Sequence, residues 1–426
     1  MLKFLNFLLI AAVCLPAVLW VSATETGRIT FEPKGRVVTS GSDPQLGVRA
    51  SGEVFLLKLK DRDIWLQTSG DGGDSFESAV KVNDADEVAA HAENTPQMIV
   101  RTMREFYILW SARDAEDRTA LRLSISPDWG RSFNKSVVVD AASTASQSFF
   151  TLAVGPDGAV YAAWLDGRER GKGGASAVYL AKSTNRGQSF QKSVRVALDV
   201  CPCCRPSIAF TDAQTLHIGW RGIRDGDMRD IFVATSTDGG ATFGAGTLVA
   251  PDNWQLNGCP HSGPTLAVLN GKLFVAWRTV SDNVPQLFVA SSSDHGAHFS
   301  EKVSAAPNLT DPNHPRLVPI ENKLGLVFQA RPATAKGKAP ANAESWNKLD
   351  VYFRLLDASG ALAPLQRIVH AVGSATYPTL LYERPGHLFV AWTEGSEEGR
   401  KIVLARGRLT NAVAKPNPIA GKRGNQ

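Results

Sequence analysis

Two short strings carry four of the five cysteines in the chain, Cys201-Pro-Cys203-Cys204-Arg205-Pro and Cys259-Pro-His261. Thiols packed this closely support three chemistries. In an oxidising compartment an even number of cysteines forms disulfides. Vicinal Cys203 and Cys204 bridge only with strain, so Cys259 would pair with Cys201, Cys203 or Cys204. Reduced thiolates beside the His261 imidazole would instead hold a soft metal, copper or zinc, although Cys-x-Cys-Cys departs from the usual Cys-x-x-Cys spacing of zinc sites. A redox-active thiol pair is the third reading.

A second set of residues could hold or transform an anion. Arg205 and Arg316 have the forked guanidinium that grips a carboxylate with two hydrogen bonds, and they could equally bond loop carbonyls. His91, Glu93 and His314 are candidate ligand-binding groups, with the two histidines alternatively hydrogen-bonded loop residues. Tyr377 is a candidate catalytic nucleophile, or a packing side chain at the start of a strand. Arg221, Arg229 and Arg278 read as ordinary charges at strand ends.

What brings such distant residues together is a repeat. The pattern Ser/Thr-x-Asp-x-Gly-x-x-Phe occurs five times, with its third position at Asp71, Asp128, Asn185, Asp238 and Asp294, at steps of 57, 57, 53 and 56 residues. A degenerate sixth copy sits at Asp357-Ala-Ser-Gly360. The chemistry is that of a hairpin turn: Asp or Asn caps backbone N–H groups, Gly takes a positive φ, and the aromatic packs beneath. Even spacing makes these acids structural turns rather than catalytic or calcium-binding groups.

Two further markers recur upstream. Apolar runs end on Trp110, Trp164, Trp220, Trp277 and Trp392, and earlier runs open on Pro44, Pro96, Pro206, Pro264, Pro315 and Pro378, with Phe150 in the remaining place. Seven openings, each followed by three more strands, predict an all-β β-propeller of seven four-stranded blades, with six blades as the alternative. The last unit has three strands of its own, and Arg28-Ile-Thr-Phe31 or Arg36-Val-Val-Thr39 would supply the fourth and close the ring. First strands line the channel of a propeller, so the loops leading into them share one mouth. His91, Glu93, Cys201, Cys203, Cys204, Arg205, Cys259, His261, His314, Arg316 and Tyr377 all fall there.

The repeated turn resembles the Asp-box, or bacterial neuraminidase repeat, of the sialidase superfamily, and the resemblance spans nearly the whole chain after residue 40. The cysteine strings resemble a pair found in exported sialidase-like propellers. The resemblance implies a six-bladed ring, three arginines around a carboxylate, a Tyr nucleophile paired with Glu, and an Asp acid/base. Tyr377, Arg205 and Arg316 are the positions here that could take such roles, and Arg28-Ile29-Thr30 is the string nearest the superfamily's Arg-Ile-Pro motif. Asp-boxes also occur in propellers that only bind or assemble. The leading expectation is a propeller that binds a glycan or other anionic ligand at its central mouth. The alternatives are an exo-sialidase-type glycoside hydrolase and a soft-metal-binding or assembly factor.

Composition and the chain ends bound these readings. The 426 residues carry a formal charge of only +5 and no long Lys/Arg run, which argues against a nucleic-acid face. Lys3, the apolar Phe4 to Val21 and the small residues Val21-Ser22-Ala23 read as a signal peptide over 1–23, so the chain is expected in the periplasm or outside the cell, with no stable membrane span after cleavage. Residues 24–409 form a single propeller domain in this reading, and 410–426 a loose polar tail.

Overall fold

The computed structural model describes residues 28–410, apart from 85–86, 92, 103–104, 115, 170–175, 333–347, 370, 372, 384–385 and 397–398. The expected signal peptide and the polar tail beyond Thr410 lie outside the described residues. Every regular element described is a β-strand. Consecutive antiparallel strands form seven sheets, at 42–81, 97–138, 147–200, 207–248, 265–304, 309–369 and 374–410. These are seven blades. The first strand of each packs against the first strand of the next, and blade 7 returns onto blade 1. The ring therefore has seven members rather than the six that the sialidase resemblance implies.

The second strand of each blade lies inside its sheet, covered on both faces by neighbouring blades. It accordingly reads as a continuous apolar run rather than an alternating one. Val160–Asp166 is buried along its whole length, and so is Leu216–Arg221. The recurring Trp residues are the largest pieces of this packing: Trp110, Trp164, Trp277 and Trp392 are each at most 1% exposed. Their indole N–H groups are satisfied locally, as in Trp110 to Ser124 Oγ at 2.9 Å and Trp164 to Asp166 Oδ2 at 2.8 Å.

Closure uses both N-terminal candidates rather than one. The final strand, Gly399–Thr410, is long enough for two partners. Arg28–Phe31 pairs with its far half, from Arg28 opposite Thr410 to Phe31 opposite Gly407. Arg36–Ser40 pairs with its near half, from Arg36 opposite Leu404 to Ser40 opposite Lys401. The edge of blade 7 is thereby covered along most of its length.

All five Asp-type turns are wired alike. At Asp238, Ser236 Oγ donates to the carboxylate at 2.7 Å, Thr242 N–H at 2.9 Å and Thr242 Oγ1 at 2.6 Å, while Gly240 N–H donates to Ser236 Oγ at 2.9 Å. Gly240 has φ of 91°, which is why glycine stands there. Asp357 is wired differently, since Leu355 replaces the leading Ser, but its carboxylate still accepts Ala361 N–H at 3.1 Å. Strand direction fixes where the turns lie. A first strand leaves the mouth, the second returns, the third leaves again, and the Asp-type turn follows it. The turns therefore ring the face opposite the mouth.

Candidate functional site

The residues just ahead of the seven openings are Asp43, Thr95, Phe149, Arg205, Gly263, His314 and Tyr377. Four of them, Asp43, Phe149, His314 and Tyr377, have φ between 50° and 54°. The ladder register slips at each of these four. Each is a β-bulge in a left-handed conformation that non-glycine residues adopt at a cost of roughly 1–3 kcal/mol. The bulge takes the residue out of its sheet, and polar side chains collect the freed N–H groups. Thr393 Oγ1 accepts from Asp43 at 2.8 Å, Asn94 Oδ1 from Phe149 at 2.6 Å, and Gln329 Oε1 from Tyr377 at 2.8 Å.

Glu93 does the same for two blades at once. His91 and Asn94 exchange backbone hydrogen bonds at 2.8 and 3.2 Å, and this short turn carries Glu93 inward ahead of blade 2. Glu93 Oε2 accepts Gly263 N–H at 2.7 Å and Arg205 N–H at 3.2 Å, and Oε1 lies 3.3 Å from His314 Nδ1. Its partners thus belong to blades 4, 5 and 6. In a ring of seven, blades 5 and 6 stand opposite blade 2, so the carboxylate reaches across the channel mouth. Burial opposes its ionisation, but the His314 hydrogen bond, the Arg205 and His314 charges and the Gly263 N–H together hold it below the usual carboxylate range.

Around Glu93 the charges are dense and buried. Arg205 is 4% exposed, and neither Nη1 nor Nη2 has a hydrogen-bond partner among the described residues. The alternative of a guanidinium bonding loop carbonyls through these nitrogens is therefore not what the structure holds. The His314 and Tyr377 rings meet at 4.5 Å between centroids. Burial, with the Asp43 and Glu93 charges, pushes the Tyr377 phenol up to about 12, so at neutral pH it is a protonated donor. Burial likewise raises Asp43, against Ser42, Arg400 and His314. Tyr377 and Asp43 line a cavity of about 930 Å³ together with His91, Lys60, Arg62 and Arg400. Arg316 is half-buried two residues beyond His314 on the same strand. A second cavity of about 840 Å³, on the face of the Asp-type turns, is walled by Phe31, Leu388, Phe389 and Arg406, and the turn residue Asp71 is the one predicted residue that lines it.

The cysteine strings meet beside this centre. Cys201, Cys203 and Cys204 are buried and Cys259 is exposed, and all four are free thiols. Cys201 Sγ lies 3.7 Å from Cys203 Sγ and 3.5 Å from Cys204 Sγ. Because all four are free, the expected bridge from Cys259 to Cys201, Cys203 or Cys204 is not found among the described residues. The ligand atoms of Cys203, Cys259 and His261 also lie within 4.8 Å of one another. The cluster shares its thiols electrostatically: hydrogen bonds from Cys203 and Cys204 lower Cys201, while Cys203 is raised.

One residue read as an ordinary strand-end charge proves central. Arg221 is wholly buried, and its guanidinium donates to the carbonyls of Ser262 at 2.9 Å, Arg229 at 2.9 Å and Arg278 at 2.6 Å. It holds the lead-in loop of blade 5 against blade 4, next to Gly263. A signal was present in the sequence, since Arg221 directly follows Trp220 at the end of its blade's second strand. Glu93 was placed at the mouth by its position ahead of blade 2, but its partners could not be read.

Fold and site together define a seven-bladed propeller with a buried ionic centre at one mouth. No protein family and no curated protein matches the sequence. Among solved structures, the chain resembles a protein of unknown function from Dyadobacter fermentans, at 14% identity and a TM-score of 0.53 over 89% of this chain and 99% of that one. It also resembles an ulvan lyase of a new polysaccharide lyase family bound to -[GlcA(1-4)Rha3S]-, at 10% identity and a TM-score of 0.54 over 86% and 95%. The Trypanosoma rangeli sialidase in complex with sialic acid is a looser likeness, at 15% identity and a TM-score of 0.45 over 90% and 57%. At these identities the likeness is one of fold.

Proposed function

We propose that this propeller binds an anionic ligand, of the kind an acidic glycan presents, at its central mouth. The observation that carries the reading is Arg205. A guanidinium that is 4% exposed, with two nitrogens unpartnered among the described residues, is costly to keep, and an arriving carboxylate or sulfate is the group that would satisfy it. Tyr377 lines the cavity, lies within electrostatic reach of Arg205, and offers a protonated phenol. Lys60, Arg62 and Arg400 outnumber Asp43 and Asp61 on the cavity wall and would draw an anion in. The ulvan lyase of similar fold is bound to a repeat that carries a uronate, which suits this class of ligand without assigning its chemistry here. The 1–23 segment reads as an export signal, so the ligand would be met in the periplasm or outside the cell.

A panel of oligosaccharides followed by thermal shift tests this. Uronate-, sialate- or sulfate-bearing members should raise the melting temperature in a concentration-dependent way, and neutral members of the same length should not. Equal shifts from acidic and neutral members would overturn the reading.

A further inference from the structure

We propose that Cys203, Cys259 and His261, with a fourth sulfur from Cys201 or Cys204, bind a zinc ion that staples the lead-in loops of blades 4 and 5. Four observations converge. The ligand atoms of Cys203, Cys259 and His261 lie within 4.8 Å of one another although they come from loops 56 residues apart. Cys201, Cys203 and Cys204 form a second such group that shares Cys203. The sulfur spacings of 3.5 and 3.7 Å suit two thiolates on one tetrahedral ion, for which bonds of about 2.3 Å give about 3.8 Å. Finally, His261 Nδ1 is buried with no hydrogen-bond partner among the described residues, an imidazole nitrogen left without the partner a buried nitrogen ordinarily has.

The surroundings fit an ion bound by several thiolates. Three thiolates around one divalent cation leave a net negative charge, and the buried Arg221 guanidinium lies within electrostatic reach of both Cys201 and Cys204. Arg221 also fixes Ser262 O, one residue beyond His261, which orients the ligand loop as outer-shell groups do in metal sites. Soft sulfur with one imidazole selects zinc or copper(I) over hard ions, and the presence of four donors favours tetrahedral zinc. The consequence is local. Cys204 adjoins Arg205, and His261 lies two residues before Gly263, so the ion would set the spacing of the two N–H groups that Glu93 accepts. The zinc proposal does not rest on the anion-binding reading.

The test uses the full chain purified without chelator. Elemental analysis should find about one zinc per chain, and cobalt(II) in its place should show the intense visible bands of a tetrahedral thiolate site. Cys259→Ser, at the exposed ligand, and His261→Ala should each abolish the stoichiometric metal while the protein stays folded. The cobalt spectrum of the wild type keeps the question answerable should either variant misfold. The proposal is overturned by folded wild type that stays metal-free after equilibration with zinc, by peptide mapping that finds Cys259 in a disulfide, or by copper occupying the cluster instead.

Discussion

Glu93 Oε2 accepts the backbone N–H of Gly263 at 2.7 Å, across 170 residues of chain and most of the propeller mouth. The contact needs glycine at 263. A Cβ built there would stand 2.0 Å from Arg205 O and 3.0 Å from Arg205 N, so the loops of blades 4 and 5 cross with no room for a side chain. Gly263→Ala should therefore force the loops apart. We expect a loss of about 1–3 kcal/mol in urea unfolding, as for other overpacked positions, together with weakened ligand binding. An alanine variant with wild-type stability and binding would show that the loops are not held in this crossing.

Glu93 itself gives a pH signature. Its folded pKa is depressed, so its stabilisation is fully present above the unfolded carboxylate value of about 4.3 and is lost as pH falls through the folded value. Glu93→Gln leaves Arg205 buried beside a neutral group and should cost about 3–5 kcal/mol at neutral pH. The gap between wild type and variant should narrow when the unfolding midpoints are measured near pH 3. A gap independent of pH would mean that the carboxylate is not ionised in the folded protein.

The Asp-type turns should be separable from the site. Asp238 anchors its own hairpin on the face opposite the mouth, so Asp238→Ala should lower stability by about 1–2 kcal/mol through the lost turn hydrogen bonds. Ligand binding, measured where the variant is folded, should be unchanged. Loss of binding in that folded variant would put the turns and the site on one face.

Tyr377 separates binding from hydrolysis. A phenol pushed up to about 12 is a poor nucleophile at neutral pH, and the expected result is no release of sialic acid from an aryl sialoside. Tyr377→Phe should instead weaken anion binding by roughly twofold to tenfold, the worth of one hydrogen bond. Wild-type turnover that disappears in Tyr377→Phe would replace the binding reading with a glycosidase.

Much of this architecture is written in short-range chemistry. The turn motif, the Trp-terminated strands and the proline openings are local patterns, and aligning them yields seven blades and gathers Glu93, Arg205, His314 and Tyr377 at one mouth. What local patterns do not carry is reach. Glu93 meets Arg205 and Gly263 at separations of 112 and 170 residues, and nothing near residue 93 encodes either partner. The bulges at Asp43, His314 and Tyr377 were equally hidden, because a residue before proline gives no sign of a positive φ. Arg221 was misread for a related reason: an arginine at a strand end resembles a surface charge until the neighbouring blade supplies the carbonyls it holds.

The most direct test of an anion site at the mouth is calorimetric titration of wild type and Arg205→Met with a uronate oligosaccharide and its carboxyl-reduced, neutral counterpart. Methionine keeps much of the buried volume and removes the charge. Charge-assisted hydrogen bonds are worth about 1.5–3 kcal/mol, so wild type should prefer the acidic ligand by roughly tenfold or more. Arg205→Met should remain folded and show no such preference. An equal preference in both proteins, or none in the wild type, would contradict the assignment of Arg205 as the anion-binding group.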